Sequence, residues 1–199
     1  SHTKMKHFRF ELNLRKRCRN QILLRIFFPK RFKNSLVERL TMDMLTGLRN
    51  RNCYEHSLEY YITKNVESLC CLYIDANGLH ELNNTLGHAA GDEMLIYIGN
   101  SLKAIFGTQD TYRIGGDEFI ILIQDENIAE CRIQSLLQKV NELKIEELKD
   151  FKLSIRIGIA FAPKDGTTFM ELYRHADQAL YQTKRTGKNN YKICKNDEI

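Results

Sequence analysis

The chain of 199 residues is long enough for one well-cored domain plus an extension and too short for two ordinary domains. With 43% hydrophobic and 28% charged residues it has a globular composition. No apolar run is long enough to span a bilayer, since the longest candidate, "ILLRIFF" at 22–28, is short and carries an arginine.

The net charge of +5 is unevenly placed. Residues 1–39 hold twelve Lys/Arg against Glu11 and Glu38, a net of +10, while the remainder sums to −5. Residues 1–40 are therefore expected to form a basic extension, helical in part, ahead of a folded domain at 41–199. Such an arm suits an anionic membrane or nucleic acid, but a solvated linker beside a membrane or an upstream sensor domain is the preferred reading, and no nucleic-acid partner is expected. No secretory leader pattern opens the chain. The cysteines (Cys18, Cys53, Cys70, Cys71, Cys131 and Cys194) contain no CxxC pair. They are expected to be reduced thiols of a cytoplasmic protein, and zinc is not expected.

Leu36, Val37, Leu40 and Met44 recur at helical spacing and predict a lead-in helix ending at a turn around Gly47. A helix follows over about 51–64, with Tyr54, Leu58, Tyr61 and Ile62 facing inward. "LCCLYIDA" (69–76) is short and apolar, a buried strand with Asp75 at its C-terminal end. A short helix and loop are expected at 78–88, then a longer helix at about 89–106 with Leu95, Ile98, Leu102, Ile105 and Phe106 in one stripe. Strands near 110–114 and 119–124 fold over Gly115–Glu118, where the glycines can supply the positive φ of a hairpin turn. A helix at 127–145 presents Ile133, Leu136, Leu137, Val140 and Leu143. "FKLSIRIGIAFA" (151–162) alternates as a strand and stops at Pro163. A last helix at 167–187 ends at Gly187, and 190–194 is a final strand. Helices thus interleave with the five strands of one sheet.

The chemistry gathers around "RIGGDEFIILI" (113–123). Adjacent carboxylates repel and neither favours a strand, so Asp117 and Glu118 call for a positive partner. With Asp75 they make an oxygen-only set suited to Mg²⁺ or Mn²⁺, two of which can activate a hydroxyl and stabilise a leaving pyrophosphate. "NGLHELN" after Asp75 presents backbone N–H groups to an anion, and Lys184, Arg185 and Lys188 add charge for phosphates. Each feature also has an ordinary structural reading: Asp75 as a strand-end cap, Asp92 as a helix N-terminal acid, the lysines as a solvated helix end. Their combination points to nucleotidyl or phosphoryl transfer.

Over residues 41 to 193 the chain resembles the GGDEF family of diguanylate cyclases. The resemblance is carried by "DMLTGLRNR" (43–51), "YIDANGLHELNNTLGHAAGDEML" (73–95), "RIGGDEF" (113–119), "SIRIGIA" (154–160) and "ADQALYQTKRTGKNNY" (176–191). It implies an α/β (α+β) palm-like nucleotide cyclase fold, a mostly antiparallel five-stranded sheet flanked by helices. It also implies condensation of two GTP into cyclic di-GMP with release of pyrophosphate, in a homodimer, as the cytoplasmic output of a signalling protein, with a membrane-anchored parent as one option. At matched positions Asp75, Asp117 and the Ala76 carbonyl would bind two Mg²⁺ or Mn²⁺ ions per site. Glu118 would assist as ligand or base. Gly115 and Gly116 would admit the nucleotide, Asn83 and Asp92 would read guanine, and Lys184 and Lys188, with amides near Leu79 and His80, would hold phosphates.

Several positions depart from the family. Leu79–His80 stands where Phe-Lys is usual, Asn77 and Asn84 replace frequent aspartates, and Lys188 replaces an arginine. Phe106 and Gln109 occupy the arginine and aspartate positions of the RxxD inhibitory product site, so no allosteric product site is expected. The alternative is a weak or inactive domain that binds GTP and regulates a partner.

Overall fold

The computed structural model describes residues 40–63, 69–124, 126–142, 153–183 and 190–194. The chain divides into two units at Leu40 and Thr41. The expected basic arm, with Leu36, Val37 and Cys18, lies outside the described residues, as do Leu143, Lys184, Arg185, Gly187 and Lys188.

The described residues of Thr41–Ile199 build a six-stranded mixed sheet with five helices. In chain order the elements are β1 (Arg49–Asn50), α1 (Arg51–Thr63), β2 (Leu69–Asn77), α2 (Leu79–Leu86), α3 (His88–Phe106), β3 (Thr111–Arg113), β4 (Glu118–Ile123), α4 (Glu126–Asn141), β5 (Ser154–Ala162), α5 (Phe169–Thr183) and β6 (Asn190–Ile193). The strand order is β1-β3-β4-β2-β5-β6. The three central pairings are antiparallel, and only the outer pairs β1/β3 and β5/β6 run parallel. The expected α/β class and mostly antiparallel sheet are found.

The sheet has one strand more than expected. β1 is only two residues long, too short to carry a periodic signal, and exists because Arg49 and Asn50 align with Tyr112 and Arg113. The lead-in helix also departs from expectation. Helical backbone ends at Thr41, Met42 makes an isolated bridge to Arg49, and Met44 is exposed within a turn. Helical spacing was misleading there because Asp43 caps that turn: its carboxylate accepts from Thr46 N–H at 2.9 Å and Thr46 Oγ1 at 2.7 Å.

β2 is central and buried on both faces, which is why it is an unbroken apolar run. Its even positions (Cys70, Leu72, Ile74, Ala76) pack beneath α2, α3 and α4 with Leu82, Ile98, Leu102, Leu136 and Val140. Its odd positions (Leu69, Cys71, Tyr73) pack with Tyr54 and Leu58 of α1 and Leu172, Ala176 and Leu180 of α5. On this second side α5 crosses β5 at Gly158, where a Cβ would fall 1.9 Å from the Ala176 carbonyl oxygen. Only glycine allows that approach. Of the side chains expected to face inward, Ile105, Phe106 and Tyr61 are half-buried, each at the margin of its cluster.

Candidate functional site

The predicted acids lie at one end of the sheet. Asp75 of β2 is flanked in register by Glu118 of β4 and Arg156 of β5, so a row Glu118–Asp75–Arg156 crosses three strands. By strand alternation the three share the face of Tyr73, Ile120 and Ala160. Asp117 sits in the turn before β4, and its carbonyl accepts from Ala76 N–H at 2.9 Å. That bond ties the end of β2 to the turn.

The turn is built differently from the expectation. Neither Gly115 nor Gly116 lies in the left-handed region. Gly115 instead leaves room for the end of the Glu118 side chain, whose Oε2 would stand 2.5 Å from a Cβ there. A Cβ on Gly116 would meet nothing within 4 Å, so the backbone is open to approach on that side. The Gly116 carbonyl accepts from Arg113 Nε at 3.1 Å and Nη2 at 2.7 Å, while Arg113 Nη1 donates to Asp43 Oδ1 at 3.0 Å. Burial alone would raise the Asp43 pKa, but the hydrogen bonds from Thr46 and the Arg113 guanidinium outweigh it and hold the carboxyl below its ordinary value. The block "DMLTG" therefore clamps the turn that presents Asp117 and Glu118.

Both acids of the row have partners within the chain. Arg156 Nη1 lies 3.6 Å from Asp75 Oδ2. The Tyr73 hydroxyl donates to Glu118 Oε1 and meets the Tyr173 hydroxyl at 3.1 Å. Burial, then the hydrogen bond to Glu118, pushes the Tyr73 pKa far above its usual range, so Tyr73 stays a neutral donor. The donor set fits a hard divalent cation in kind: carboxylate oxygens and a backbone carbonyl, without nitrogen or sulfur. It is not a preformed cage. Among the described residues no three His, Cys, Asp or Glu side chains are gathered to hold a metal ion.

β2 runs directly into the nucleotide-reading candidates. Gly78, with φ of 94°, turns the chain into α2, whose first residues are Leu79, half-buried, and His80, exposed. His80 Nε2 lies 3.1 Å from Asn84 Nδ2, one turn along the helix surface. Asn83 faces α3, where Gly91 leaves room for it: a Cβ on Gly91 would fall 2.0 Å from Asn83 Oδ1. That buried oxygen has no hydrogen-bond partner in the protein, so its acceptor capacity is open. Asp92, the next residue, is exposed beside it. The fold thus brings Asn83 and Asp92 to one helix junction.

Elsewhere, Phe106 packs against the core, and Gln109 Oε1 accepts from Arg49 Nη2 beside an open cleft of about 390 Å³. Sequence reasoning missed Arg156, Tyr73 and the Asp43–Arg113 clamp. A charged residue inside the alternating strand "SIRIGIA" was the available signal for Arg156.

Residues 40–190 match the family model described as "Diguanylate cyclase, GGDEF domain". The chain is 32% identical over 167 residues to the bifunctional diguanylate cyclase/cyclic di-GMP phosphodiesterase MucR of Pseudomonas aeruginosa, covering 81% of this chain and 24% of that protein. It is 31% identical over 156 residues to the diguanylate cyclase DgcS of Shewanella oneidensis, covering 76% and 52% respectively. The GGDEF domain of TpbB (YfiN) from Pseudomonas aeruginosa superposes with a TM-score of 0.69 at 29% identity, covering 77% of this chain and 94% of that one. The chain therefore spans between a quarter and about half of these two full-length relatives.

Proposed function

The chain belongs to the GGDEF family, and from that premise we propose that it is a divalent-metal-dependent diguanylate cyclase, the cytoplasmic output of a longer signalling protein. Each of two GTP molecules would be held by one copy of the domain. The 3′-hydroxyl of each attacks the α-phosphorus of the other. Two phosphodiester bonds form, two bonds to pyrophosphate break, and the hydroxyl protons leave to a base. Asp75, Asp117 and the Ala76 carbonyl would hold the ions, with Glu118 as ligand or proton acceptor. When bound, Mg²⁺ or Mn²⁺ supplies charge that polarises the hydroxyl and offsets the negative charge on the departing pyrophosphate.

The chain's own residues do the rest. Asn83 and Asp92 would select guanine, the carboxylate accepting from its N1–H and amine. Amides at the start of α2, beside Leu79 and His80, would bind phosphate oxygens. Lys184 and Lys188 would add charge there. Gly115 and Gly116 would let the nucleotide approach the turn. The observation that carries this reading is the register that sets Asp75 opposite Glu118, with Asp117 pinned to Ala76.

A second reading, a domain that binds GTP without turnover, is favoured by the engagement of Asp75 with Arg156 and of Glu118 with Tyr73. Mass spectrometry after incubation with GTP and Mg²⁺ separates the two. Cyclic di-GMP should form with wild type and not with Asp117→Asn, whose neutral amide is a poor ligand for a hard cation. Saturable GTP binding with no product would establish the regulatory module instead. Product from the Asp117→Asn chain at the wild-type rate would sink the proposed site.

A further inference from the structure

Arg156 stands in register with Asp75, and its guanidinium Nη1 is 3.6 Å from Asp75 Oδ2. Both side chains are largely withdrawn from water, 20% and 24% exposed. Arg156 Nε is buried with no hydrogen-bond partner. A well-made arginine–carboxylate pair is bidentate at about 2.7–2.9 Å and satisfies the fork. This one is loose, and it leaves a donor stranded. Nor does packing ask for a charge here, since Ile155, Ile157 and Ile159 supply this strand's buried contacts to the opposite face. What the contact does provide is positive charge beside an acid assigned to a cation.

We propose that Arg156 is a built-in competitor for the divalent cation at Asp75, a positioning residue that weakens the domain's grip on free metal ion. The inference rests on the metal-site reading above. An ion approaching Asp75 meets a carboxylate whose charge is already partly offset, and a guanidinium a few ångströms beyond it. Even with screening close to that of water, repulsion between a unit charge and a divalent ion about 5 Å apart is worth about tenfold in affinity.

The test is calorimetric titration of Mn²⁺ alone into the full chain, without nucleotide, for wild type, Arg156→Gln and Arg156→Lys. Arg156→Gln keeps a polar side chain and removes the charge, and its Kd should fall by about tenfold or more. Arg156→Lys keeps the charge and should stay near wild type, a distinction that a role in packing alone would not produce. Thermal unfolding checks that each variant is folded, and Arg156→Ser replaces the glutamine variant if that one is not. Adding Asp75→Asn to Arg156→Gln should erase the gain. Equal Kd for wild type and Arg156→Gln would overturn the inference and leave the metal site standing. No saturable Mn²⁺ binding in any of the proteins would overturn the metal-site reading and this inference with it.

Discussion

Asp43 shows how a residue remote in sequence fixes the turn that carries Asp117 and Glu118. Its carboxylate takes hydrogen bonds from Thr46 and Arg113, and the same guanidinium holds the Gly116 carbonyl. Asp43→Ala strands Thr46 and one edge of Arg113 in a site where both residues are largely buried. Leaving such donors unpaired costs about 1–3 kcal/mol, which in a domain of this size lowers Tm by roughly 2–4 °C per kcal/mol. The pH dependence follows from the lowered pKa of Asp43. A carboxyl depressed in the folded state contributes its stability in full above the unfolded value and loses it as pH falls through the folded one. The Tm gap between wild type and Asp43→Ala should therefore be full at pH 7, hold down to about pH 4, and narrow below that. Thermal unfolding across pH 2.5 to 7 would be the measurement; a gap independent of pH would show that the charge of Asp43 contributes nothing.

Between elements, two glycines make opposite predictions because different atoms oppose a side chain. At Gly158 an added Cβ meets backbone, the Ala176 carbonyl oxygen at 1.9 Å and Leu180 N at 2.5 Å, so α5 itself must move. Gly158→Ala should cost about 1–3 kcal/mol or more, read as a lower urea midpoint. At Gly91 the obstacle is the end of the Asn83 side chain, which can swing away. Gly91→Ala should leave the urea midpoint near wild type, since alanine also suits a helix, and should weaken GTP binding by displacing Asn83. Loss of stability without loss of affinity in Gly91→Ala would reverse the role given to Asn83. This level also marks what the sequence could disclose. The period-two and helical patterns placed β2 to β6 and the five described helices to within a few residues, because each buries a continuous face. They missed β1, whose two residues carry no period, and they misjudged the turn at Asp43, where a side-chain cap overrides helical spacing. Motif spacing singled out Asp75, Asp117 and Glu118, which the structure places at one sheet end. The facing of Arg156 onto Asp75 depends on the register of β2 with β5, some eighty residues apart, and no local pattern encodes that.

For the molecule as a whole, the stoichiometry of the proposed reaction exceeds what one domain supplies. Among the described residues the acid row occupies one sheet end, and β2 leads from it to the Asn83–Asp92 junction, so the proposed reading gives each chain one nucleotide site. Cyclic di-GMP contains two guanosine units, and each 3′-hydroxyl must reach the α-phosphorus of a GTP held elsewhere. Two copies meeting with their sites opposed provide this, and the active species is then a dimer. At concentrations where sedimentation shows mostly monomer, the initial rate should rise with the square of protein concentration, and specific activity should level off once dimer predominates. Excess Asp117→Asn chain should depress wild-type activity, because each mixed pair holds only one competent site. Activity strictly proportional to concentration in a solution shown to be monomeric, and indifferent to the Asp117→Asn chain, would mean that a single domain completes the ring. That outcome would require a second nucleotide site on the same chain.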